Sequence, residues 1–532
     1  MAIKWGTKKT AASAFIFLAG VCSILYAKPK KPKTNLVKQE PGFYYGFGDG
    51  KSAEEAQLKA KLDLVENSLT ATIRQTTPSA EQVSVSADAL EKRLPKIKVF
   101  NQSKDGLTVA YRIKIEDWNK EENSFAENLR NELEPSYKIL SSRGKLAERI
   151  KASEKILNTL ADNGETMLLS FQDGGTDLYS AKVQKEVTKL LNDLEFSFSV
   201  KDKIVKQSDR IVLSVKDSSG SPSSDLNLKA VWISPSAEDL EEVQKISTNS
   251  FGEAEIEFPS SEGLINRPVS LEISAAFHSG KIASSVMKKL SNVLDVEARY
   301  FFTDKDEMFE FVTVEGGKFS TGGMKHDTKA FSSREKARTA ELETFEIAKT
   351  PVSNFQYGVY LFLNRIEELP EYFENPDYCD ENQPVIAVSA DQAEAFAAWL
   401  SGETGNKYRL PSDDEWEVAA RGGQEVIYAW GDDDPSKKKN ANYKGNGRFK
   451  YPSPAGSFEG GINAIGLEDM CGNVWEWTSS ARNAEEDSDV RTVKGGSWMD
   501  GPADLRISNY KNINKDECLP DVGFRLVKEI KK

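Results

Sequence analysis

Apolar and polar positions alternate with period two from Phe196 to about Ala283: Phe196-Ser-Phe-Ser-Val200, Ile211-Val-Leu-Ser-Val215, Leu228-Lys-Ala-Val-Trp232 and Ala254-Glu-Ile-Glu-Phe258. Period two places every second side chain on one face of a strand. Turns rich in Ser, Gly and Asp separate these runs, so a small β-sandwich of immunoglobulin-like type is expected over 196–294. Upstream, over 119–195, the period lengthens. Leu129, Leu133, Ile139, Leu146, Ile150, Ile156 and Leu160 recur at helix-like spacings in a highly charged background, which predicts a helical spacer or hairpin.

Residues 42–118 read as a small α+β domain. Glycine turns after Phe43 lead to Ser52, a good N-cap, with Glu54 and Glu55 in the first turn. A helix then runs toward Gln75, with Ala56, Ala60, Leu62, Leu64 and Leu69 on its apolar face. Leu107–Ile115 alternates as a strand. Gly46-Phe-Gly-Asp-Gly50 lacks the Gly-Lys-Ser/Thr ending and the preceding strand of a phosphate loop, so it is expected to be a structural turn. Over 295–532 the chain is richer in Trp, Gly and Asn. Phe311–Phe319 reads as a hairpin opening, and Phe345–Tyr357 as a strand followed by a helix capped by Ser353. Pro384–Leu400 leads into an amphipathic helix, and Tyr408–Gly423 turns from strand to helix.

At 532 residues the chain exceeds what one core serves, and a multidomain α+β organisation is expected. A net charge of −13 argues against nucleic acid and against a polybasic hold on anionic lipid. Lys4, Lys8 and Lys9 precede an apolar run from Ala11 to Tyr26, closed by Ala27 and a Lys/Pro-rich linker over 28–41. This is the layout of a signal peptide over 1–27, which sends the protein to the periplasm, cell envelope or surface. Three readings of the leader stand: cleavage after Ala27, lipidation at Cys22 within Leu18-Ala-Gly-Val-Cys22, or an uncleaved anchor. The run is shorter than the ~20 residues that span a bilayer. Either a Cys22 lipid or a retained leader would hold the protein at a membrane. Beyond the leader, Cys379, Cys471 and Cys518 are odd in number and widely spaced, so they read as idle or buried thiols rather than a disulfide framework.

Candidate chemistry gathers in Gly466-Leu-Glu-Asp-Met-Cys-Gly-Asn-Val-Trp-Glu-Trp477, Gly495-Gly-Ser-Trp-Met-Asp500 and Gly523-Phe-Arg525. Arg409, Glu415 and Arg421, charges amid apolar neighbours, should be paired inside the fold. Trp416, Trp430, Trp475 and Trp477 read as core, Gly495 and Gly496 as a tight strand entry, and Arg525 as closing the sheet. Asp469 and Glu476 flank a loop containing Gly472-Asn-Val474. Carboxylates and loop carbonyls suit a hard cation such as calcium; a loop with exposed acids is the alternative.

The ordered motifs over 295–532 resemble the formylglycine-generating enzyme (sulfatase-modifying factor) family, whose fold is an elaborated C-type-lectin-like domain. The resemblance implies a calcium site with side-chain ligands Asp469 and Glu476 and the carbonyls of Gly472 and Val474. Of the family's second calcium site the chain keeps Asn442, while Gly445-Asn-Gly-Arg-Phe449 has no carboxylate where one is expected. In the enzyme two cysteines bind copper and activate oxygen to convert a substrate cysteine to formylglycine. The first should follow the Gly-Gly-Ser-aromatic-Met motif, where Asp500 stands, and the second five residues later, at Leu505. Soft Cu(I) selects thiolates, and a carboxylate with an alkyl group does not hold it. A branch using non-haem iron needs a histidine cluster; the chain has only His278 and His326.

The resemblance leaves a face on which lectin-like relatives bind ligands. Here it is formed by Asp500-Gly-Pro-Ala-Asp-Leu-Arg506 and Ser508–Asp516, with Asp500, Asp504, Arg506, Asn509, Tyr510, Lys511 and Asn512 as candidate contacts; an ordinary polar loop is the alternative. The aromatic-Gly-x-Gly run and Ala-rich helix of the N-terminal domain resemble small bacterial outer-membrane lipoproteins. Three readings follow. One is an exported, non-catalytic protein binding a protein, glycan or envelope component; the second is a divergent formylglycine-generating oxidase acting on a protein cysteine; the third is a structural envelope protein.

Overall fold

The computed structural model describes residues 41, 43–73, 99–103, 108–162, 179–206, 209–235, 240–261, 264, 267–277, 290, 292–303, 308–328, 335–438, 440–482 and 489–531. The leader, Cys22, the linker and His278 lie outside the described residues.

The N-terminal unit is a three-stranded antiparallel sheet with Thr108–Lys114 central, between Phe43–Asp49 and Val99–Gln102. The helix Ala53–Ile73 lies on it, burying Ala56, Ala60 and Leu64 against Val109 and Tyr111. Gly46 and Gly48 sit within the first strand rather than in a turn. A Cβ on either would overlap the backbone of Ala60 or Ala56, so glycine is what lets strand and helix touch.

The helices Ile115–Leu140, Leu146–Asp162 and Tyr179–Asn192 begin four residues earlier than the sequence pattern suggests. They are more than a spacer. Leu133, Ile156, Val187 and Leu191 belong to the same hydrophobic core as Leu213, Trp232 and Leu271 of the sheets that follow. Ile139, counted with the apolar face, is exposed. One sheet has three strands, Leu194–Phe198, Ile211–Asp217 and Glu253–Ile256, in that order. The other has five, in the order Lys203–Val205, Val296–Phe302, Pro268–Ala275, Asn227–Ile233 and Glu241–Ser247. The strand Val296–Phe302, assigned by its position in the sequence to the C-terminal domain, pairs antiparallel with Pro268–Ala275 and parallel with Lys203–Val205.

That strand also joins the two halves. Phe301 packs with Val359 and Leu363, Arg299 Nη1 donates to Phe362 O at 3.0 Å, and Arg365 pairs with Asp202 at 3.1 Å. In the C-terminal domain Phe311–Val314 and Gly317–Thr321 do not form a hairpin with each other. They pair with Phe345–Ala348 and Arg338–Leu342 respectively, so the turn between them continues one long two-stranded arm. A four-stranded sheet runs Phe311–Val314, Phe345–Ala348, Val527–Lys528, Tyr408–Arg409. A second runs Tyr510–Asn514, Val490–Lys494, Trp475–Trp477, Val522–Gly523, the last pair parallel. Ser353, Ser389 and Ser412 each cap a helix with a reciprocal capping box. Gly495 and Gly496 end the strand Val490–Lys494 instead of opening one. No described helix is long and apolar enough to cross a membrane.

Candidate functional site

The helix Asp413–Arg421 organises the interior beneath the motif loops. Its capping residue Glu415 is gripped by Arg409 through two 2.7 Å bonds, the pairing expected for these charges. Two residues on, fully buried Glu417 accepts from Arg421 at 2.9 Å and Arg482 at 2.8 Å, with Lys494 Nζ at 3.4 Å and Arg338 at 3.5 Å. Burial alone would raise its carboxyl. Lys494, Arg482, Arg421 and Arg338 reverse that and hold it well below the usual carboxylate range. Lys494 is itself pushed down by burial, against the opposing pull of Glu417 and Asp413. This cluster fixes the base of the strand that ends in Gly495-Gly-Ser497.

Beside it, Glu476 is fully enclosed. Arg525 donates to both of its oxygens, at 2.6 and 2.7 Å, and Trp416 Nε1 donates at 2.7 Å. Trp416, Trp475 and Trp477 are core, as the sequence suggests, while Trp430 is half-buried and stacks on Tyr428.

Above this base sits the position where the resemblance places the first copper ligand. Asp500 Oδ2 accepts from Trp475 Nε1 at 2.7 Å and lies 2.6 Å from Ser497 Oγ, while Oδ1 accepts from Lys511 Nζ at 3.0 Å. Ser497 Oγ is also 2.8 Å from Asp521 Oδ2. One hydroxyl has a single proton to share between the two carboxyl groups. Burial raises the Asp521 pKa, the Ser497 hydrogen bond opposes this, and the nearby Asp500 charge raises it further. Leu505, at the second cysteine position, is fully buried, with its Cδ2 close to Gly472 and Gly496. The residues do not fit copper, since an occupied carboxylate and a packed alkyl group offer no thiolate. The three thiols outside the leader are free, and burial pushes Cys471 up to about 12. Among the described residues no group of three or more His, Cys, Asp or Glu side chains is arranged to hold a metal. His326 is paired with Asp432 at 3.3 Å.

The calcium set divides. Asp469 is buried, accepts only from Gly456 N–H among the bonds found for it, and is pushed up to about 6 by burial. Such an under-compensated carboxylate fits a single ligand of a hard cation. Glu476 is already neutralised by Arg525. Asn442 Oδ1 is buried without a donor, as a cation ligand would be, but the loop beyond it brings Lys444, Arg448 and Lys450 and no carboxylate. The residues do not fit a second divalent cation there.

The candidate ligand face is brought together only in part. Lys511 and Asn512 are exposed, and Asp500 and Asp504 half-buried. Arg506 is interior instead: its guanidinium binds Glu335 at 2.5 and 2.9 Å and Asp327 at 3.1 Å. Asn509 and Tyr510 are likewise buried, Asn509 donating to Asp504 O at 3.0 Å. Sequence reasoning missed Ser497, Asp521 and Lys494. Asp521 stands two residues before the Gly-Phe-Arg motif, which was the one available signal.

Residues 297–530 match the model of the sulfatase-modifying factor enzyme 1-like domain. Among its relatives is the inactive C-alpha-formylglycine-generating enzyme 2 of Bos taurus, 36% identical over 155 residues, covering 27% of this chain and 49% of that protein. The formylglycine-generating enzyme of Mycobacterium tuberculosis is 33% identical over 178 residues, covering 27% and 56%. Among solved structures, PvdO from Pseudomonas aeruginosa aligns over 42% of this chain and 97% of its own at 26% identity, with a TM-score of 0.38. The chain thus spans about half the length of the curated relatives it matches.

Proposed function

We propose that this is an exported cell-envelope protein whose C-terminal domain has given up formylglycine-generating chemistry and acts as a lectin-like, ligand-binding module. The observation that carries the reading is the pair Asp500 and Leu505. One is engaged by Trp475, Ser497 and Lys511, and the other is buried in the core. Neither supplies the thiolate that copper requires. The ligand face is the exposed rim of Asp500, Asp504, Lys511 and Asn512. Calcium at Asp469, Gly472 and Val474, with Glu476 alongside, would serve as a structural ion stiffening the loop beneath. The paired sheets over 194–302 are read as an immunoglobulin-like unit holding the module away from an N-terminal attachment, through a Cys22 lipid or a retained leader. Similarity to a relative named as inactive is in keeping with lost catalysis.

The test is an oxidation assay on the full chain with a Cys-x-Pro-x-Arg peptide, copper and oxygen, beside an active family member. Mass spectrometry should find the peptide unchanged. Conversion to formylglycine would restore the divergent-oxidase reading and remove this one.

A further inference from the structure

The ligand-binding reading leaves the ligand's chemistry open, and a pocket next to Asp500 narrows it. The loop Tyr443–Lys450, Trp498 and Met499 line an open depression of about 520 Å³. Its wall is tied to the vacated copper position by Lys444 N–H, which donates to the Asp500 carbonyl at 2.8 Å. Three cations line the pocket, Lys444, Arg448 and Lys450, and all three are exposed. In a chain with 83 acidic residues against 70 basic ones, none of the three makes an ion pair with a described residue. Lys450 lies 4.8 Å from the Tyr451 ring and feels Asp377 at longer range, so Lys444 and Arg448 are the two cations left for a ligand.

The loop is shaped in advance. Asn446 is buried, its side-chain amide donating to the Ala441 carbonyl and its backbone N–H to Tyr443 O. Gly445 and Gly447 on either side take positive φ, +99° and +78°, which lets the chain wrap around Asn446 and turns its neighbours outward. The Arg448 guanidinium lies 4.8 Å from the Phe458 ring centre and 5.3 Å from that of Phe449. A planar fork held on aromatic faces is set for two-point recognition of a carboxylate or sulfate. Trp498 and Phe449 are half-buried, so each presents part of a ring to the pocket. Another cavity, about 570 Å³ beside the helix Leu146–Asp162, contrasts with this one: Lys145 and Lys151 there are offset by Glu148 and Glu154.

We propose that this pocket binds an acidic saccharide, with Lys444 and Arg448 holding its anionic groups and Trp498 and Phe449 packing against the sugar ring faces. The inference rests on the ligand-binding reading above. Aromatic faces beside fixed cations suit a ring that carries both C–H faces and negative charge. The overall net charge of −13 opposes any long polyanion, so a short acidic saccharide held by the local cations is favoured. The volume admits one or two sugar units rather than a folded partner.

The test is calorimetry on the full chain at low and high salt, with a galacturonate tetramer and a heparin hexasaccharide as carboxylate and sulfate probes. The fully methyl-esterified galacturonate tetramer, poly-glutamate and oligo-dT serve as comparisons. At least one acidic saccharide should bind, more weakly as salt rises. Esterification should abolish binding of a uronate, and K444E/R448E should weaken it about ten-fold or more, as expected for losing charge-assisted bonds. W498A should weaken both saccharides while circular dichroism stays native. K151A, in the cavity beside the helix Leu146–Asp162, should leave affinity unchanged. Failure of both saccharides, equal binding of the ester, or tighter binding of poly-glutamate or oligo-dT would overturn the proposal. Saccharide binding lost in K511A but kept in K444E/R448E would leave the module a binder on its other rim and remove this pocket. Formylglycine production in the peptide assay would instead remove the functional reading without moving these affinities.

Discussion

Arg525, close to the C-terminus, grips both carboxylate oxygens of Glu476, 49 residues earlier, and neither side chain has appreciable exposure. The remaining Arg525 donors reach the carbonyls of Ala348, Lys349 and Glu468, so one guanidinium ties three chain segments together. Arg525→Met leaves Glu476 buried without a counter-charge, which typically costs about 3–5 kcal/mol. Arg525→Lys recovers little, because an ammonium cannot present the same fork. Urea denaturation followed by tryptophan fluorescence measures both; near-native stability of the Met variant would show that the pair is dispensable.

Burial of Asp521 beside the Asp500 charge makes stability pH-dependent. Folded Asp521 keeps its proton to higher pH than the ordinary aspartate value of 3.8. The folded state therefore binds more protons above that value, and stability falls as pH rises from there through the raised pKa. Asp521→Asn removes this dependence and keeps a donor for Ser497. The stability of the variant relative to the natural chain should grow as pH rises from pH 4 in thermal melts, and a constant or shrinking difference would contradict the raised Asp521 pKa.

Calcium should raise the melting temperature, and chelator should reverse it. At a free concentration ten times Kd the gain is about 1.4 kcal/mol. Asp469→Asn should abolish this gain. If the Asn variant responds to calcium like the natural chain, Asp469 is not a ligand.

The resemblance places the two copper cysteines at Asp500 and Leu505, which gives a direct test. Asp500→Cys with Leu505→Cys should allow the protein to take up one equivalent of Cu(I), measured by competition with a chromophoric chelator, where either single variant takes none. The Leu505 change should cost about 1–3 kcal/mol for the lost packing. No uptake by a folded double variant would mean these positions are not where the cysteines belong.

Local signals in the sequence located what local physics decides. Ser353 caps its helix as expected, since capping involves residues three apart. Arg409 and Glu415 pair across the turn between strand and helix, only six residues apart. Long-range partners left no such trace. Arg506 reads as a surface charge in a polar stretch, yet it is buried because Glu335, 171 residues away, meets it there. Ser497 and Asp521 meet because Trp475-Glu476 pairs in parallel with Val522-Gly523, a register that periodicity does not encode. The edge strand Glu241–Ser247 went unseen for a different reason: its Val243 is half exposed, so no alternating apolar face marks it. The positive pocket was overlooked because its loop was read for the carboxylate it lacks rather than for the cations it holds.

The strand Val296–Phe302 is a mechanical link as well as a boundary. It is stitched between Lys203–Val205 and Pro268–Ala275 while its end is clasped by Phe355 and Phe362 of the next domain. Tension between a tethered N-terminus and a captured ligand would pull along this strand. It would load the hydrogen bonds of both ladders together in shear rather than unzip them singly. Cutting the chain at 295 would strip the larger sheet of its second strand and expose the edges on both sides. The C-terminal domain and the sheets beside it are therefore expected to unfold together rather than separately.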